Sequence, residues 1–102
     1  MLQAPPDYLL NSALRPLIQL GLQAFLDAVQ QDPRITVTSW WRSVSDNADV
    51  GGAATSQHLY GLAYDIVGPG ATQVADAWMA LGGIAVREAD HVHLQIFPAG
   101  VL

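Results

Sequence analysis

Ile84-Ala85-Val86-Arg87-Glu88-Ala89-Asp90-His91-Val92-His93-Leu94-Gln95-Ile96-Phe97 is the stretch that decides the fold. Two apolar-rich runs, Ile84 to Arg87 and His91 to Phe97, flank the acidic turn Glu88-Ala89-Asp90. Strands joined by so short a connection pair antiparallel. Side chains alternate faces along a strand, so Val92, Leu94 and Ile96 share one side while His91, His93 and Gln95 share the other. The first side is core. The second, taken alone, reads as the solvated face of an antiparallel sheet.

Working outward, Thr72 to Leu81 is a short amphipathic helix closed by Gly82-Gly83. Leu62 to Val67 is a second apolar strand, stopped by Gly68-Pro69-Gly70, and Ile35 to Trp40 is a β-branched, alternating third. Between them Ser43 to Ser56 is small and polar and reads as one long loop. Upstream, Leu14, Leu17, Ile18, Gly21, Phe25, Ala28 and Val29 form one apolar stripe. They predict a helix from about Leu14 to Gln31, capped by Asn11 or Ser12, with Pro16 in its first turn and Asp32-Pro33 as its stop. Residues 1–11, with Pro5 and Pro6, read as an extended arm. The order is helix, strand, loop, strand, helix, strand, strand. It predicts one α+β domain over 1–102, a small mostly antiparallel sheet with helices packed on one face.

Composition narrows the function classes. The 102 residues carry a net charge of -5, three histidines, no cysteine and no lysine. Four scattered arginines in an acidic chain lack the footprint of nucleic-acid binding. Thiol catalysis, cysteine zinc fingers and disulfide scaffolds are excluded. The longest apolar-rich stretch, Leu14 to Val29, is interrupted by Arg15, Pro16, Gln19, Gln23 and Asp27, far short of the ~18 apolar residues a membrane span needs. The start has no basic residues of the kind that open a secretory signal. The expectation is a soluble monomer made in the cytoplasm.

His58 and Asp65 change the reading of the polar face. They stand seven apart in Ser56-Gln57-His58-Leu59-Tyr60-Gly61-Leu62-Ala63-Tyr64-Asp65, where Gly61 can turn a loop imidazole back toward a strand carboxylate. Asp65 lies inside an apolar run, where an ionised carboxylate is costly unless paired, hydrogen-bonded or bound to a metal. Two histidines and one carboxylate, with a fourth position for water, is the usual shell of a catalytic zinc. Imidazole and carboxylate also admit manganese, iron or cobalt.

The run Ser56-x-His58-x-x-Gly61-x-Ala63-x-Asp65 followed by Asp90-His91-x-His93 resembles the zinc D,D-peptidases and endolysins of the M15 peptidase family, which are related in fold to hedgehog domains. Ile35 to Ser43, with Asn47 and Gly51-Gly52 behind it, resembles the family's approach to the first motif, although Trp40 and Trp41 stand where Gly and Tyr are usual. The resemblance implies that His58, Asp65 and His93 bind one zinc ion and that Asp90 is the general base or acid. It places His91 beside the metal without binding it, and gives Arg42 a substrate carbonyl or carboxylate to hold. Glu88-x-x-His91 has the same spacing as Asp90-x-x-His93, so Glu88 and His91 are the rival base and ligand. The implied activity is hydrolysis of an amide bond in peptidoglycan stem peptides, by a carboxypeptidase or an endopeptidase such as a phage lysin, acting on the bacterial cell wall. The competing reading is a hedgehog-like domain that keeps zinc for structure or partner binding. Of the neighbouring residues, either one of Trp40 and Trp41 borders the cleft while the other packs, or both fill core. Ser56 is expected to touch the metal shell or cap a turn, Tyr60 and Tyr64 to pack, and Gln95 to be an ordinary strand residue. Arg15, Arg34 and Arg87 are expected at the surface.

Overall fold

The computed structural model describes residues 3–30 and 34–98. Helix α1 spans Asp7–Leu10 and α2 Arg15–Gln30; strand β1 is Thr36–Ser39. Helix α3 is Val44–Asp49, a 3-10 helix covers Gln57–Tyr60, and β2 is Ala63–Val67. Helix α4 (Ala71–Ala80), β3 (Ile84–Arg87) and β4 (Val92–Gln95) follow among the described residues. The strands form one sheet in the order β1-β2-β4-β3, antiparallel at every pairing.

The alternation read from the sequence holds. Val92 and Leu94 are buried on one face of β4, next to Tyr64 and Ile66 of β2. Helices α2 and α4 cover that face with Phe25, Val74, Ala75 and Trp78. Full burial of a side chain the size of Val74, Leu94 or Phe25 contributes about 1.5–3 kcal/mol. Trp78 is the largest of them, and its indole Nε1 donates to the Gln95 carbonyl at 3.0 Å, so the ring enters the core with its polar edge matched. Tyr64 stacks on Phe25 with ring centroids 4.8 Å apart. A second cluster of Leu9, Ile18 and Leu62 closes the other end, with Trp40, Trp41 and Tyr60 against it.

Three local expectations are corrected. The N-terminal arm is not extended throughout: Asp7–Leu10 makes one helical turn that buries Leu9 against Ile18 and Leu62. Pro6 starts that turn, because its carbonyl accepts from Leu9 N and Leu10 N. Nor is Ser43 to Ser56 one loop. Ser43 Oγ accepts from Asp46 N at 3.1 Å and caps α3. That signal was present in the sequence as a serine three residues ahead of an acid. Neither Asn11 nor Ser12 caps α2. Asn11 closes α1, and Ser12 Oγ accepts from Leu14 N at 3.1 Å in the turn between the helices. The Leu14 carbonyl takes the first helical bond of α2, from Ile18 N. The predicted end of α2 at Gln31 and stop at Asp32-Pro33 lie outside the described residues, as do Met1 and Leu2 of the arm.

Candidate functional site

Pairing of β2 with β4 sets Asp65 directly opposite His93. Both side chains project from the sheet face that the helices leave uncovered, as expected for cross-strand partners. His58 comes to the same place from the 3-10 helix. Ser56 Oγ caps that helix by accepting from His58 N at 3.2 Å, and Gly61 ends it with φ +73°. A side chain at Gly61 would strain the left-handed backbone and drive its Cβ into the Pro5 ring. The turn folds His58 back so that its Nε2 lies 3.2 Å from Asp65 Oδ1. His93 Nδ1 is 3.0 Å from the same oxygen. The candidate ligand atoms of His58, Asp65 and His93 all fall within 4.8 Å of one another. His91 stands further out, its Nε2 3.8 Å from Asp65 Oδ1.

Hydrogen bonds determine which nitrogens face inward. His58 Nδ1 donates to the Trp40 carbonyl, which can only accept, so the Nε2 lone pair is turned to Asp65. His93 Nε2 donates to Gln95 Oε1 at 2.7 Å, which leaves its Nδ1 lone pair facing Asp65. Two imidazole lone pairs and a carboxylate oxygen therefore converge with no proton of their own between them. Such a group calls for a cation at its centre, and this donor set suits zinc. Without one, a proton takes its place. Burial opposes charge on both Asp65 and His93, and their mutual contacts overcome it. Asp65 is held well below the usual carboxylate range by its bonds to His58 and His93. His93 is raised above the ordinary imidazole value by its bonds to Asp65 and Gln95 and by the Asp65 charge.

Arg42 completes the floor. Its Nη2 meets Asp65 Oδ2 at 2.6 Å, Nε donates to Ser39 Oγ at 3.1 Å, and Nη1 reaches Asn47 Oδ1 at 3.4 Å. A guanidinium has five N–H groups, so one hydrogen on each terminal nitrogen stays available. Asn47, buried in α3, also donates to the Ala53 carbonyl at 2.8 Å and ties the cleft wall to Arg42. The cleft holds about 530 Å³ and is lined by Arg42, His58, Asp65, His91, His93 and Glu88 together with the 50–57 segment.

Asp90 is placed differently from the other predicted residues. Its side chain is 89% exposed at the rim and accepts from His91 Nδ1 at 2.6 Å, which holds it below the usual carboxylate range. His91 then presents Nε2 inward. Neither tryptophan lines this cleft: both are half-buried against the Leu62 cluster, and both line a second, smaller hollow that shares Arg42 with the cleft. Their Nε1 atoms donate to the Gly61 and Leu59 carbonyls. They are spent on holding the His58 turn. Arg87 pairs with Asp76 at 3.3 Å on the exposed surface. Sequence reasoning missed Gln95, which touches His93. Its place on the polar face of β4, two residues beyond a candidate ligand, was the available signal.

A four-stranded antiparallel sheet carrying a His–Asp–His group on the floor of a polar cleft defines a class: small α+β domains built to hold a metal ion. The sequence profile of the Peptidase M15 family matches residues 9–95, and the chain belongs to that family. Over 45 residues it is 49% identical to the zinc D-Ala-D-Ala carboxypeptidase of Streptomyces albus G, which covers 44% of this chain and 17% of that protein. The chain thus spans a small part of the relative's length. No solved structure matches it.

Proposed function

We propose that this domain is a zinc metallopeptidase that hydrolyses an amide bond in peptidoglycan stem peptides of the bacterial cell wall. One observation supports the reading above the rest: the lone pairs of His58 Nε2 and His93 Nδ1 converge on Asp65 Oδ1 at 3.2 and 3.0 Å. In this reading His58, Asp65 and His93 hold one zinc ion. Bound there, zinc polarises the scissile carbonyl and lowers the pKa of a water toward ~7.

The remaining roles fall to this chain's own groups. Asp90 accepts a hydrogen bond from His91 Nδ1 and so turns His91 Nε2 toward the cleft. The resemblance gave proton transfer to Asp90 alone; we assign it to the pair, with His91 as the ring that reaches the substrate. The two free Arg42 N–H groups bind a substrate carbonyl or terminal carboxylate. Glu88 lines the cleft wall, and its rival pairing with His91 as ligand is disfavoured because His91 stands outside the ligand group. The relative's name points to a bond between two D-alanines as the first substrate to test. A hedgehog-like domain without catalysis has no use for a cleft that keeps Arg42 donors and an Asp90–His91 pair at its metal site.

Purified protein loaded with zinc and incubated with peptidoglycan tests the proposal. Mass spectrometry of the muropeptides is expected to show loss of a terminal alanine or of a cross-link. Bound zinc below about a tenth of an equivalent, with no uptake on addition, would overturn it. Uptake of zinc without any change in the muropeptides would favour the non-catalytic reading.

A further inference from the structure

Gln95 sits on the polar face of β4 with both ends of its amide engaged. Its Nε2 donates to the Phe97 carbonyl at 2.6 Å. A carbonyl can only accept, so this contact fixes which end of the amide is the NH2 and turns Oε1 toward His93 Nε2, 2.7 Å away. Oε1 can only accept in its turn. His93 Nε2 must therefore carry the ring hydrogen.

The anchor is itself held. Gln57, the neighbour of His58, donates from its side-chain amide to the same Phe97 carbonyl, and its Oε1 accepts from Phe97 N at 2.9 Å. Gln57 is buried, so this two-bond clasp lies away from competing water. A continuous chain of donors and acceptors thus runs from the segment bearing His58, through Phe97 and Gln95, to His93. The two histidines reach the same end by different means. His58 is oriented by a main-chain carbonyl, that of Trp40, which no substitution removes. His93 depends on a side chain.

We propose that Gln95 is a positioning residue: it locks His93 in the Nε2–H tautomer, so that Nδ1 is the nitrogen offered to the metal. The inference rests on the zinc reading above. Groups that orient a ligand histidine through its second nitrogen are typically worth about 10–100-fold in metal affinity.

Gln95→Met keeps the length of the side chain and removes both amide contacts, leaving the backbone carbonyl that Trp78 uses. Zinc affinity, measured for both proteins by competition with a chelating dye, is expected to be about 10–100-fold weaker in the variant than in wild type while the far-ultraviolet circular dichroism is unchanged. Long-range proton–nitrogen correlation spectra of the zinc-loaded wild type are expected to show His93 protonated on Nε2 and metal-bound through Nδ1. A variant that binds zinc within about twofold of wild type, or a wild-type ring protonated on Nδ1, overturns the proposal. If Gln95→Met does not fold, the wild-type spectrum alone decides. If wild type binds no zinc, the zinc reading fails, and the His93 tautomer of that metal-free protein, recorded at alkaline pH where the ring is neutral, still tests the Gln95 contact.

Discussion

Arg42 Nη2 and Asp65 Oδ2 meet at 2.6 Å, and that ion pair leaves Oδ1 of the same carboxylate to face the two histidines. Asp65 is thereby divided, one oxygen for the cation of the protein and one for the cation of the site. Arg42→Ala would leave Oδ2 of a buried carboxylate without its partner while Oδ1 keeps both histidines. Allowing for the partial exposure of Arg42, we expect the zinc-free protein to lose about 2–3 kcal/mol, read from urea unfolding, and the zinc-loaded protein to lose less.

Asp90 and His58 separate binding from chemistry. His58→Ala is expected to lose zinc and peptidase activity together. Asp90→Ala should keep a full equivalent of zinc while kcat falls about 10²–10⁴-fold, since it contacts His91 and no candidate ligand. Normal peptidoglycan digestion by Asp90→Ala would remove Asp90 from the proposed mechanism.

Stability should run in opposite directions with pH depending on metal. His93 is raised in the fold, so its protonated form contributes stability that is complete below the ordinary imidazole pKa and lost as pH rises through the raised value. Asp65 is lowered, so its contribution is present above the ordinary carboxylate pKa and lost only in strong acid. The zinc-free chain should therefore weaken as pH climbs past the imidazole range, by at most about 1.4 kcal/mol per pH unit. With excess zinc the slope reverses, because the metal needs the same nitrogen deprotonated. Unfolding midpoints across neutral pH, with and without zinc, check both signs.

Gly61→Ala tests the turn that delivers His58. A left-handed backbone at φ +73° and a Cβ aimed at Pro5 make the native geometry strained for alanine. We expect a loss of about 1–3 kcal/mol in urea unfolding and weaker zinc binding from the displaced ring.

Tyr64→Phe makes the opposite kind of test. The Tyr64 hydroxyl is buried without a hydrogen-bond partner among the described residues, and burial pushes its pKa up. Removing an unsatisfied group while keeping the ring stacked on Phe25 should leave stability unchanged or raise it by about 1 kcal/mol. A loss of more than about 1 kcal/mol would show that the hydroxyl is bonded in solution.

Much of the site could be read from local rules. The split of β4 into a Val92/Leu94 face and a His91/His93/Gln95 face follows from strand pleating, which needs no partner strand. The return of His58 toward Asp65 follows from a glycine at the one position where a left-handed turn is needed. The misread elements were settled by other forces. Asp7–Leu10 becomes a helical turn because Leu9 finds Ile18 and Leu62, the cluster against which both Trp40 and Trp41 also pack. Gln95 looked ordinary because its place on the polar face shows only that it is near His93, and the job of its amide depends on partners that the fold supplies.

The sequence by itself determined the α+β class, the polar face of the last strand and the residue types available for a metal. Those properties depend on periodicity of 2 or 3.6 residues and on backbone freedom at single positions, and both are written locally. Only the tertiary structure decided that β2 lies between β1 and β4, which sets Asp65 opposite His93 across 28 residues of chain. It also decided which nitrogen of each histidine faces inward, because a ring's tautomer is fixed by the acceptor it meets. For His58 that acceptor is the Trp40 carbonyl, brought over by the β1–β2 side of the sheet, and for His93 it is Gln95, whose own amide is aimed by Phe97.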